Sequence, residues 1–204
     1  MIASSQLGVI EPGSLRYIET RDIAVLQANQ SVGFVPSQIP GIQTSQVSAF
    51  STSGLGGLTP ESFKSLNTEQ LAAFTVKNIA GLTSQQLIGL TYTGIQALEP
   101  ADLPGLTIGN VPAVRFGELT SAQLAAITPA QAALINARQL GAVPPERLES
   151  IGVEDVAVFS SQALAGITTA QIRSFSTAQI NRFGGTDGKS IVGLSTDAVY
   201  GLGS

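Results

Sequence analysis

The sequence predicts an all-α solenoid: very short helices, one per eight-residue repeat, stacked into a right- or left-handed superhelical rod. Three observations lead there. An eight-residue phrase recurs in register over most of the chain, its fifth and eighth positions are apolar, and its first four positions carry the marks of a helix start. A fixed short period of this kind is the signature of a repeat architecture.

The phrase is plainest at 120–135, where TSAQLAAI is followed by TPAQAALI. With Thr120 as position 1, eight octets run unbroken through 120–183, and fourteen more fit one register over 3–114. In those fourteen, position 8 is always large and apolar, from Ile10, Ile18 and Leu26 through Phe34, Ile42 and Phe50 to Leu98, Leu106 and Val114. Position 5 is apolar from Leu7 to Val111 with Ser31 as the one exception. Position 4 is commonly glutamine, as at Gln6, Gln38, Gln46, Gln70, Gln86, Gln123, Gln131, Gln139, Gln171 and Gln179, and position 7 is usually Gly, Ala or Ser. Two interruptions remain: a shortened repeat at 115–119, and a lengthened one that with a terminal octet fills 184–202. All of it reads as one continuous solenoid.

Each position has a local reason. Thr, Ser or Asn at position 1 suits an N-cap, and Gln three residues later returns its side chain to the cap's backbone N–H, which is a capping box. The apolar residue before the cap and the one at the fourth helical position form a hydrophobic staple. Pro at position 2 (Pro12, Pro36, Pro60, Pro100, Pro129, Pro145) occupies the first helical position, where its missing N–H has no intrahelical partner. Small residues at position 7, glycine above all, favour an early stop. Each octet should therefore be about one and a half helical turns and a corner. Pro40, Pro104 and Pro112 fall at position 6 and would break an α-helix, so those octets are expected as 3₁₀ turns. A β-solenoid with one short strand per octet is the alternative.

Helices this short nucleate poorly alone. The octets must stack so that positions 5 and 8 share a continuous core, with positions 2 and 3 outside. The 24-residue spacing of Pro12, Pro36 and Pro60 indicates three octets per coil.

Composition removes most chemistry. With no Cys and no His, thiolate and imidazole metal sites, Ser-His and Cys-His nucleophile systems and disulfides are excluded. No catalytic, cofactor-binding or metal-binding residues are expected. A net charge of -4 provides no basic footprint for nucleic acid. No run approaches the roughly 18 apolar residues of a membrane span, and the first residues do not form a signal peptide. The charged cluster Glu146, Arg147, Glu149, Glu154 and Asp155 is expected as a solvated face. Phe183-Gly184-Gly185-Thr186-Asp187-Gly188 contains half of a glycine-rich calcium repeat and is read as an insertion loop. The recurring position-1 hydroxyls are expected to be consumed by capping, and Tyr17, Tyr92 and Tyr200 are too scattered to form a platform.

The stretch Ile127-Thr128-Pro129-Ala130-Gln131-Ala132 resembles the opening of the transcription-activator-like effector repeat. That family is basic and has a much longer period, so what is shared is capping chemistry. Residues 167–180, ITTAQIRSFSTAQI, resemble more closely the Leu-Thr-Thr-x-Gln-Val/Ile tracts of large exported bacterial surface proteins of adhesin-like or haemolysin-like type. The resemblance covers almost the whole chain and implies an extracellular or cell-surface spacer or filament segment with no site residues to transfer.

The function expected is therefore non-enzymatic and structural. Copies are expected to self-associate through solenoid ends, because the first and last octets carry the apolar pattern and no polar cap. The alternative is a binding module that presents one face of the solenoid to a protein or glycan.

Overall fold

The computed structural model describes residues 2–183 and 193–202. Among these residues the regular structure is helical and contains no β-strand, so the fold is the all-α solenoid of short helices and the β-solenoid alternative falls. The longest helix, Thr196–Leu202, has seven residues. The glycine-rich stretch 184–188 and most of the lengthened repeat lie outside the described residues.

One octet shows the local logic. In Ser84–Gly89, Thr83 caps the helix in extended conformation (φ -93, ψ 158) and Gln86 completes a capping box. Leu90 turns extended again (φ -64, ψ 151), its N–H closing on the Leu87 carbonyl at 3.2 Å. Helix, position 8 and the next cap thus make a bend that repeats every eight residues. The same box forms at Asn67/Gln70, Thr120/Gln123, Thr128/Gln131, Asn136/Gln139, Thr168/Gln171 and Ser176/Gln179. Pro60, Pro129 and Pro145 begin their helices as expected. Pro40 and Pro104 sit in 3₁₀ turns, Ile39–Gly41 and Pro100–Gly105. The turn Ile39–Gly41 starts late in its octet and places Pro40 at its second residue, where an amide would have no partner within the turn.

Pro112 departs from the expectation, and with it the position of the shortened repeat. It is the N-cap of an α-helix, Ala113–Gly117. Phe116 and Leu119 are buried, whereas Val114, expected at core position 8, is 54% exposed. The short repeat is therefore 107–111, not 115–119: Thr107, the turn Ile108–Asn110 and buried Val111 complete a five-residue unit, and 112–119 is a full octet. Ile108 and Val111 bury the short unit's apolar surface, so the chain can start the next cap three residues early.

By contacts the chain divides into two compact units, Met1–Asn110 and Val111–Ser204. Within each, a helix packs on the helix three octets further along. In the first unit one column runs Ser4–Leu7, Ala28–Ser31, Thr52–Gly56, Ile79–Gly81, Pro100–Gly105. A second column includes Pro12–Tyr17 on Ile39–Gly41, and a third runs Thr20–Ala24, Thr44–Ala49, Thr68–Ala72, Tyr92–Gln96. In the second unit Ala113–Gly117 packs on Ala137–Ala142, which packs on Ser161–Leu164. The core of each unit is the file of position-5 and position-8 side chains, among them Leu55, Phe63, Ile79 and Leu87 in the first and Leu124, Leu140, Leu148 and Ile172 in the second.

Candidate functional site

The chain's polar chemistry is concentrated at position 4, and its geometry goes beyond a cap. Gln86 accepts the Thr83 N–H on Oε1 at 2.9 Å, while its Nε2 donates to the carbonyls of Leu55 and Leu58 at 3.0 and 2.9 Å, 31 and 28 residues earlier. Gln38 does the same to Leu7 and Ile10, Gln46 to Leu15 and Ile18, and Gln70 to Ile39 and Ile42. In the second unit Gln171 reaches Leu140 and Val143, and Gln179 reaches Leu148 and Ile151. Ser62 and Asn110 serve the same place with shorter side chains, bonding to Phe34 and Leu82. The glutamine amides are buried, so bonds such as those to Leu55 and Leu58 satisfy carbonyls inside the fold.

The reach joins two octets. A helix packs on the octet three before it, but its position-4 amide bonds into the octet four before. The helices thus repeat at three octets, the 24-residue spacing of the prolines, and each amide leans across a joint into the neighbouring octet of the preceding coil.

The charged cluster at 146–155 does not stay on one face. Glu146, Glu149 and Glu154 are exposed as expected, and Glu154 pairs with Arg182. Arg147 occupies position 4 and donates to the Leu119 carbonyl at 2.8 Å, 28 residues back, in the manner of a ladder glutamine. Asp155, also at position 4, is buried. Its pKa is raised above the ordinary carboxylate value, chiefly because burial disfavours the charge; the Glu154 charge adds to this and a hydrogen bond from the Gly152 backbone opposes it. A carboxylate there takes the cap's N–H but has no donor for the carbonyls that the ladder spacing assigns to it, those of Leu124 and Ile127.

Position-1 hydroxyls are engaged in structure. Thr120 Oγ1 accepts from Gln123 N at 3.1 Å, and Ser51 Oγ both accepts from Gly54 N at 3.0 Å and donates to Leu26 O at 3.0 Å in the preceding coil. Tyr17, Tyr92 and Tyr200 are exposed on separate octets. Among the described residues no three His, Cys, Asp or Glu side chains gather as metal ligands, and no helix is long and apolar enough to cross a membrane.

Two open grooves lie over equivalent places of the repeat. In the first unit a groove of about 750 Å³ is bordered by Pro12, Arg16, Pro40, Thr44, Asn67 and Glu69. In the second a groove of about 380 Å³ is bordered by Pro145, Glu146, Glu149, Arg173 and Ser176. Each lies beside a 3₁₀ turn opened by proline at position 2, Pro12–Tyr17 or Pro145–Ser150. These rims offer hydrogen bonds and charges of both signs.

No protein-family model and no curated protein matches the chain. The likeness to exported bacterial tracts rests on the octet phrases alone.

Proposed function

We propose that the chain is a non-enzymatic structural repeat segment, a spacer or filament-forming element of a bacterial cell-surface or extracellular assembly. One observation carries this reading: the side chains best able to do polar chemistry, the position-4 amides, are buried and spent on joining one coil to another. Position-1 hydroxyls such as those of Thr120 and Ser51 are spent on caps. What the sequence repeats is therefore a means of lengthening a coil. Placement outside the cell follows the resemblance of 167–180 to exported tracts.

Stretching single molecules tests the structural role. A coil of three octets is 24 residues, and at about 3.5 Å per extended residue its release lengthens the chain by on the order of 80 Å. A spacer held coil to coil by amide bonds should give repeated steps of that order, less the folded height. Release of the whole chain in one event at low force would remove the load-bearing reading. Surface biotinylation of cells that express the protein tests the location, and labelling only after lysis would place it inside.

The binding-module reading is favoured by the paired grooves. It predicts saturable binding of a protein or glycan that Arg16→Ala with Glu69→Ala abolishes while the helical circular dichroism is unchanged. Absence of saturable binding across a glycan panel and candidate protein partners would leave the spacer reading alone.

A further inference from the structure

Position 7 holds information that the general preference for small residues conceals. In the first column of the N-terminal unit it reads Val9, Gly33, Gly57, Gly81, Gly105. The glycines are there because the preceding coil touches them. A Cβ on Gly33 would stand 2.1 Å from the Ser4 carbonyl oxygen, one on Gly57 2.3 Å from Ala28 Cα, one on Gly81 2.0 Å from the Thr52 oxygen, and one on Gly105 1.8 Å from the Val76 oxygen. No side chain fits at such distances, because packed interiors leave no slack of this size. Val9 stands at the same place in the first coil and is 79% exposed.

The other two columns repeat the order of large then small residues, with a contact glycine at Gly41 alone. Tyr17 precedes Gly41, Ser65 and Gly89, and Val25 precedes Ala49, Ala73 and Ala97. Gly41 is again a contact glycine, its Cβ position 2.2 Å from the Pro12 oxygen. Tyr17 and Val25 are 77% and 68% exposed. Large residues are accepted at position 7 where a column is open, as at Leu134 and Val158 in the second unit. The weight therefore rests on Val9, whose column is close at every later glycine, with Tyr17 beside it through Gly41 alone, since a Cβ on Gly89 would meet nothing nearer than 3.7 Å.

An independent feature points the same way. Asp22 occupies position 4 of the first coil, where its column continues with the buried donors Gln46 and Gln70. A coil beneath it would press carbonyl oxygens against a carboxylate that has no hydrogen to offer, a cost the chain bears at Asp155, so Asp22 weighs against a coil without barring one by itself.

We infer that the first coil, 3–26, is a terminating coil: its outward face excludes a further coil of this repeat, from the same chain or from a second copy. This stands against the expectation that the first octets invite stacking and leaves association through the other end as the sequence suggests it. Their apolar lining is real, and Ile10, Ile18, Val25 and Leu26 border a groove of about 420 Å³ with Asp22. The side chains around that groove forbid the close approach that a coil requires.

The test lengthens the chain by one of its own coils. Residues 51–74, a coil with contact partners on both sides, are placed ahead of Ala3 in register, in the wild-type background and in the triple variant V9G, Y17G, D22Q, which restores the residues found further along. Hydrogen exchange is read over the added residues. The inference expects near-unprotected exchange on the wild-type coil and exchange slowed by about tenfold or more on the variant. Protection on the wild-type coil overturns it, and so does absence of protection on both. Circular dichroism of the unextended variant checks its fold; if the variant is unfolded, V9G alone in the extended chain makes the same comparison.

Discussion

Gln85 and Gln86 are neighbours of identical chemistry in opposite surroundings. Gln85 is exposed and Gln86 is 1% exposed. Changing Gln86 to alanine removes the bond from Thr83 N (2.9 Å) and those to Leu55 O (3.0 Å) and Leu58 O (2.9 Å). The Leu55 carbonyl keeps the Leu58 N–H at 3.2 Å, whereas the Leu58 carbonyl is left without a donor among the described residues. At about 1 kcal/mol per bond, with a further penalty of about 1 kcal/mol for the orphaned carbonyl, the cost is about 3–4 kcal/mol. Gln86→Glu is the sharper perturbation. It keeps the cap acceptor but turns a second oxygen toward two carbonyls, at a cost of about 3–5 kcal/mol for an uncompensated buried charge. Burial raises this carboxyl's folded pKa above its unfolded value, so the penalty is full above the folded pKa and fades as pH falls toward the unfolded one, about 4.3. Urea unfolding followed by far-UV circular dichroism at pH 7 and pH 4.5 measures both, with Gln85→Glu as control. Equal effects of Gln85→Glu and Gln86→Glu, or no recovery in acid for Gln86→Glu, would refute the ladder as a source of stability.

Asp155→Gln should stabilise by about 1–2 kcal/mol at neutral pH by supplying the missing donor. Because the Asp155 pKa is raised, the wild type gains stability as pH falls through the folded pKa toward the unfolded value, and the variant loses that gain; parallel urea midpoints across pH 4–7 would count against it. Ser31 is fully buried with its Oγ unpartnered, so Ser31→Ala should raise stability by about 1 kcal/mol, and a lowered thermal midpoint would show an unseen partner. Leu124 is 0% exposed and Ala122 is exposed: Leu124→Asp should cost more than about 4 kcal/mol and Ala122→Asp under about 0.5, and equal losses of helicity would mean a wrong register. Gly81→Ala would set a Cβ 2.0 Å from the Thr52 oxygen and should cost about 1–3 kcal/mol, while Gly109→Ala, with nothing within 4 Å, should not destabilise; matched unfolding curves decide.

The core was legible because burial and period are the same fact. Leu55, Phe63 and Leu87 recur every eighth residue and lie inside. The place of the short repeat was not legible from apolarity, since Val114 is apolar and yet exposed. The usable signals were Asn110 in the ladder's place and Pro112 as a cap. The ladder itself was half legible. A capping box admits Glu as readily as Gln, yet no octet carries Glu at position 4; the demand for a donor as well as an acceptor lay in that exclusion. Which carbonyls receive it depends on the winding, which an eight-residue phrase does not encode. Val9, Tyr17 and Val25 could have been noticed as large residues heading files of small ones, but only the distances at Gly33 and Gly41 say why size matters there.

The reach of each amide into a second octet lays each unit's octets like bricks in running bond. Every octet bridges the joint between two octets of the course below, clasping one through helix packing and the next through its amide. A wall with aligned joints splits along a seam, but staggered courses leave no seam to follow. Under load, such a unit is taken apart course by course from an exposed edge, and a flaw in one octet is spanned by its neighbours.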